Sequence, residues 1–353
     1  MVKRKWNMDY LRITACLMVI FLHISAQNWW STDIDSFEWS IFTFGDSLVR
    51  SAVPLFFMIS GNLFLSREKN ISIEQLFKKN IFKMLIIFIV WDCLYAIDTV
   101  GVKRLMANGG LDLLLKYIIN SKYHLWYLPS LIGVYFLIPI LWTIAKYENG
   151  KYLNYACAMF FVFCICKNTL MYTPLNNTSI HLFIKKFSYD LSNYCGYFLL
   201  GYYLTKNKEK FQKFRSVFLV MIFISVVCFS TLITVLYSRL VGKPSTIMMT
   251  NLSISPFIEA CVLFILFERI SYQPSLYIQK YLKLISKYTL QVYLIHIFVL
   301  EHLAQSFNLS SLSCNPILSL PFLTIIIFII CIIIAYVMDF VLSYVPIIKK
   351  YLM

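Results

Sequence analysis

Ten runs of mostly apolar residues, each close to helix length, follow one another along the chain. They lie near 9–26, 45–65, 80–98, 125–144, 152–167, 187–205, 215–237, 254–272, 284–304 and 317–345. A helix that crosses a bilayer needs about 20 such residues. The pattern therefore predicts an all-α integral membrane protein with about ten transmembrane helices. Polar segments separate the runs, with no low-complexity stretch or internal repeat among them. The ten prolines and ten glycines leave no room for a long flexible linker. One transmembrane domain over 1–353 is expected, with no appended extracytoplasmic domain.

Composition agrees. Of the 353 residues, 59% are hydrophobic and only 14% charged, and the mean hydropathy is +0.71. A soluble domain would carry roughly a quarter charged residues. The ten cysteines are scattered through apolar runs. Cys164 and Cys166 come closest together, at a spacing that suits neither a metal site nor a disulfide. They read as small core residues, and no metal is expected.

The net charge of +15 is read first as topology, because Lys and Arg gather in the cytoplasmic loops of membrane proteins. No nucleic-acid partner is inferred from it. With the N-terminus inside, the cytoplasmic segments hold 21 Lys and Arg and the outer segments hold 9. The two that remain, Arg12 and Arg50, fall within runs. The first outer segment, 27–44, carries Asp33, Asp35 and Glu38 and no Lys or Arg. Both termini are thus expected in the cytoplasm. A cleaved signal peptide, with Lys3, Arg4 and Lys5 as its basic start and "ISA" as its cleavage site, fits worse, because its core would contain an arginine and end in a histidine.

Ionisable residues at membrane depth are costly and mark functional paths. The runs and their ends hold Arg12, His23, Arg50, Asp92, Asp190, Glu259, His296 and Glu301. Arg12 and His23 are eleven residues apart, or three helical turns plus about 20°, so they share one face at about 16.5 Å axial separation. A guanidinium can pair bidentately with phosphate or carboxylate, and a histidine can take and return a proton. Spacing alone leaves another reading open, in which Arg12 pairs with Asp9 or snorkels to the headgroups and His23 caps the helix.

The R-x10-H pair in a first helix resembles the membrane acyltransferase family 3. Further motifs follow in family order. "SAVPLFFMISGNLF" (51–64) is similar to its second helix, "HLWYLPSLIGVYFLIPIL" (124–141) to the H-L-W-[FY]-L start of its fourth, and "YFLLGYYL" (197–204) and "ISKYTLQVYLIHIFVL" (285–300) to later signatures. One departure stands out. Where members often carry R-x-x-R at the start of the third helix, "KKNIFKML" offers Lys78, Lys79, Asn80 and Lys83, and lysine is the poorer bidentate phosphate partner. The chain also ends eight residues after its last run, without the secreted hydrolase-like domain of some members.

The resemblance implies a ten-helix O-acyltransferase of extracytoplasmic sugars, in a bacterial cytoplasmic membrane, that draws on acyl-CoA, commonly acetyl-CoA. It implies His23 as the catalytic base or acyl relay and Arg12 as the donor holder on the inner side. His124 and His296 match positions that the family pattern marks. Lys79 and Lys83 are candidates for the CoA phosphates, set against an ordinary positive-inside role. Arg50 is a candidate for stabilising a developing oxyanion, set against a structural pair with Asp46 one turn earlier. No family motif fixes Asp92, Asp190 or Glu259. Ser60 and Gly61 read as a close-packing pair, and Trp126 and Tyr127 as interfacial belt residues. The acceptor expected is a surface polysaccharide or its lipid-linked precursor. Two alternatives stay open: a lipid, peptide or small-metabolite acceptor, or a transporter or flippase without acyl chemistry. Against the latter, no inverted repeat is visible. No other catalytic motif competes.

Overall fold

An apolar stretch without glycine or proline has no reason to break, and Trp6–Ala26 forms one continuous helix, α1. The computed structural model describes residues 4–101, 104, 110–171 and 194–352. Among them all regular structure is helical. Asp190 and the first part of the sixth predicted run lie outside the described residues.

The second run begins earlier than its hydropathy predicts. Ser36 accepts a hydrogen bond from the Trp39 amide at 3.1 Å, and this N-cap starts helix α2, Phe37–Val49, eight residues before position 45. The acidic segment before it thus ends in a helix start rather than continuing as loop to 44. Proline then interrupts the run. Pro54 has no N–H to bond the carbonyl of Arg50 four residues back, and the helix breaks at Arg50–Ser51 before resuming as α3, Ala52–Leu65.

The remaining α-helices of ten or more described residues are α4 (Phe82–Val100), α5 (Gly110–Asn120), α6 (Tyr127–Lys146), α7 (Lys151–Phe160), α8 (Cys195–Lys206), α9 (Ser216–Val241), α10 (Ile254–Glu268), α11 (Leu276–Phe307) and α12 (Pro316–Val341). Seven stretches among the described residues are long and apolar enough to cross a bilayer. One of these, Tyr123–Met171, contains the predicted fourth and fifth runs. Left-handed backbone at Glu148, Asn149 and Gly150 separates them. The eighth run gives the 15-residue α10, and the described part of the sixth gives the 12-residue α8. Both are shorter than the ~20 residues of a full crossing.

The packing is that of a protein solvated by lipid. α9 and α12 leave Val217, Met221, Leu240, Phe322, Ile329 and Phe340 exposed, an apolar surface far beyond the isolated patches of soluble proteins. Polar groups are inside instead, with Asp9, Asp46, Asp92, His124, Glu259 and His296 all buried. α1 sits at the centre, in contact with α2, α3, α10, α11 and α12. α3 and α8 pack backbone against backbone. A Cβ built on Gly61 would lie 1.7 Å from the Phe198 carbonyl oxygen, and one on Gly201 would lie 2.0 Å from that of Met58. Gly61 thus acts as the small packing residue that its sequence context suggested. α11, with 32 residues, is about 48 Å long and outruns the ~30 Å hydrocarbon layer.

Candidate active site

Asp9, at the start of α1, pairs with Arg12 only at long range. The Asp9 carboxylate is taken by Arg4, with Nε at 2.6 Å and Nη2 at 3.0 Å, and by the Ser286 hydroxyl at 2.6 Å. Arg12 stands 4.0 Å from Asp9 and makes one long hydrogen bond, 3.4 Å, to Ser286 Oγ. Its guanidinium lines a cavity of about 240 Å³. Phe56, Met84, Tyr127, Leu131, Tyr135 and, from α11, Ser286, Lys287, Thr289, Leu290 and Tyr293 complete its lining. A fixed cation in a mostly apolar and aromatic cavity suits a ligand that pairs an anionic or strongly polar group with a slender chain.

Tyr127 and Tyr293 connect this cavity to the other end of α1. Their rings are 5.4 Å apart, and the Tyr293 hydroxyl donates to the His124 carbonyl. The Tyr293 ring lies 5.8 Å from both His124 and His296. These two histidines meet at 5.4 Å, and His23 lies 5.1 Å from His296. Three histidines from α1, the short turn Tyr123–Trp126 and α11 thus meet at one level, with Tyr123 5.5 Å from His23 and Tyr95 5.0 Å from His124. Among the described residues no group of three or more His, Cys, Asp or Glu is arranged to hold a metal ion.

The hydrogen bonds in this cluster determine what it can do. His296 Nδ1 is 2.6 Å from the Tyr293 carbonyl oxygen. A carbonyl only accepts, so Nδ1 carries the hydrogen and Nε2 keeps a lone pair. That Nε2 is buried and has no partner. His124 has neither ring nitrogen in a hydrogen bond of good geometry. His23 is the half-buried member. The cluster therefore offers unengaged imidazole nitrogens, the equipment of a general base.

The other residues singled out in the sequence divide clearly. Arg50 grips Asp46 bidentately, at 2.8 and 2.6 Å, so the structural pairing is real. It still lies within electrostatic range of His23. Glu259, fully buried on α10, stands beside Ser51 and within range of Arg50 and Asp46. Neither of its oxygens has a hydrogen bond of good geometry. Asp92 accepts from Ser121 at 3.0 Å, and Glu301 pairs with Lys122 at 2.8 Å. Lys79 is exposed on the turn Leu76–Ile81, and Lys83 is half-buried next to Met84. Neither lysine lines the cavity.

The chain matches the model of the acyltransferase 3 family, described as an acyltransferase domain, over residues 5–336. The chain belongs to that family. No curated protein and no solved structure matches it. The family and the apolar helices together make the chain a membrane acyltransferase. Within this family member the matched span includes Arg12, His23, Arg50, Lys79, Lys83, His124 and His296.

Several residues of this candidate site carry little signal in the sequence. Tyr127 is buried and lines the cavity, which corrects its assignment to an interfacial belt. Trp126, its neighbour, is the exposed one. Tyr293 and Ser286 were not singled out at all. A signal existed for Tyr293, which stands three residues before His296 and so shares its helix face. Ser286 is marked only by its contacts with Asp9 and Arg12 on α1, which spacing within α11 does not show.

Proposed function

We propose that this acyltransferase takes an acetyl group from acetyl-CoA at its cytoplasmic side and places it on a hydroxyl of a surface polysaccharide or its lipid-linked precursor at the outer side of a bacterial cytoplasmic membrane. The observation that supports this most is the continuity from Arg12, through a cavity walled by Tyr127 and Tyr293, to the histidine cluster. A thioester arm anchored near Arg12 would point its reactive end toward imidazole nitrogens that lack partners. In this scheme His23 removes the proton from the acceptor hydroxyl. The oxygen then attacks the thioester carbonyl, the C–S bond breaks, and the CoA thiolate takes up the proton from the imidazolium. His124 and His296 orient His23, and Arg50 lends positive charge to the developing oxyanion. Lys79 and Lys83, which do not line the cavity, are the phosphate-binding candidates that the sequence offers. Such carbonyl chemistry needs only these groups, a donor and an acceptor.

The test uses the purified chain in vesicles with acetyl-labelled acetyl-CoA and extracted envelope glycan, following released CoA and label on glycan. Equal amounts of both are expected. Glycan crossing the membrane with no CoA consumed would replace the scheme with transport. Arg12→Gln supplies a second prediction. Losing a charge-assisted contact of about 1.5–3 kcal/mol raises the KM for acetyl-CoA by at least about tenfold and leaves kcat within a few fold. An unchanged KM would remove Arg12 from the donor site.

A further inference from the structure

One face of α11 continues past the Arg12 cavity toward the helix start. Lys287 lines that cavity and also a second, open one of about 390 Å³. Lys280 and Lys283 line the second. Residues 280, 283 and 287 are spaced by three and four, so they form one stripe. Ser286, Leu290 and Tyr293 carry the surface onward into the Arg12 cavity, while His296, nine residues after Lys287, lies on the far side of α11 and is reached through the Tyr293 ring at 5.8 Å. From Lys283 to His296 the axial distance is about 19.5 Å. Read along the helix, the surface is cationic and then apolar and aromatic, and it ends at Tyr293, whose ring touches the histidine cluster.

The charges around the first part are unequal. Asp339 faces it from α12 and is matched by Lys287 at 2.7 Å and Lys349 at 3.0 Å. Asp9 faces it from α1 and is matched by Arg4. Lys283 lies 5.7 Å from the Trp6 ring, which holds it without neutralising it. Among the described residues neither Lys280 nor Lys283 has an ion pair. An uncompensated positive pair at the open end of a cavity is what an anionic ligand terminus needs.

We infer that Lys280 and Lys283 bind the phosphates at the adenosine end of the CoA donor, while its arm follows the α11 face into the Arg12 cavity. This rests on a CoA thioester being the donor. It assigns the phosphates to α11, whereas the sequence suggested Lys79 and Lys83 for them. The order of groups along the ligand, phosphates, slender arm and thioester, then follows the lysines, the Arg12 cavity and the histidine cluster beyond Tyr293.

The experiment compares acetyl-CoA with phosphate-free acetyl-pantetheine as donors, for the wild type and for Lys280→Gln/Lys283→Gln. Charged contacts at an exposed site are screened, and their joint loss is expected to lower the ratio of kcat/KM for the two donors by about tenfold. Lys280→Arg/Lys283→Arg restores most of the ratio. In the wild type alone, the ratio falls as salt rises. An unchanged ratio in the glutamine variant, or a salt-independent one in the wild type, overturns the inference. The assay runs in neutral detergent and again in phosphatidylglycerol vesicles. An effect confined to the vesicles assigns the lysines to lipid headgroups and likewise overturns it. If the wild type uses neither donor, the thioester reading itself has failed. Direct binding of adenosine 3′,5′-bisphosphate, lost in the glutamine variant and retained in the wild type, then still supports the phosphate seat, and equal binding by both rejects it.

Discussion

Under the proposed mechanism, replacing His23 with alanine is expected to lower kcat for acyl transfer by about 10²–10⁴-fold, the usual contribution of a positioned general base, and to leave the affinity for the proposed acetyl-CoA donor nearly unchanged. The split follows from the geometry. His23 and Arg12 lie on one face of an unbroken helix, about 16.5 Å apart along its axis, so truncating one imidazole removes no contact at the donor end. His296 keeps its bond to the Tyr293 carbonyl, and the cavity walls are untouched. Single-turnover label transfer measures the chemical step, and CoA binding to the same preparation measures the donor site. A kcat within a few fold of wild type would show that another group takes the proton. His296, whose Nε2 has no partner, would be the first to examine.

Gly61→Leu is expected to prevent accumulation of folded protein. The added Cβ alone would overlap the Phe198 carbonyl oxygen, 1.7 Å away, and backbone cannot swing aside as a side-chain tip can. Overpacking of flexible surroundings costs about 1–3 kcal/mol, and a helix–helix contact made backbone to backbone is less forgiving. Gly201→Leu meets the mirror obstacle at Met58 and should behave alike. Gly133 has no heavy atom within 4 Å of its built Cβ, so Gly133→Ala serves as the control and folds normally. Size-exclusion profiles and thermal midpoints in detergent read all three. A monodisperse Gly61→Leu with an unshifted midpoint would show that α3 and α8 separate more readily than their packing implies.

What could be read in the sequence follows the range of the forces involved. The helical period alone put Arg12 and His23 on one face, and the i, i+4 rule anticipated the Arg50–Asp46 pair. Local spacing could not show that Asp9 prefers Arg4 and Ser286 to Arg12, because Ser286 comes from α11. The meeting of His23, His124 and His296 is likewise tertiary, and only the resemblance suggested that they share a site. The start of the second run was missed because hydropathy is blind to a capping serine. Tyr127 was misplaced because the sequence shows which residues stand near an interface but not which way a helix is rotated.

The pairing of Asp46 with Arg50 matters before the fold exists. Both charges sit on one segment, one turn apart, and their hydrogen bonds require only that turn to be helical. During biogenesis they can therefore enter the lipid as a single neutral unit, without waiting for a partner helix. An arginine at the centre of an inserting helix costs about 2.5–3.5 kcal/mol, and self-neutralisation offsets part of that cost while the nascent chain leaves the insertion machinery. Glu259 has no such local partner on α10, so it has to enter uncharged or arrive after Phe37–Leu65 is in place. The order of helices along the chain, with α2 and α3 long before α10, provides that timing.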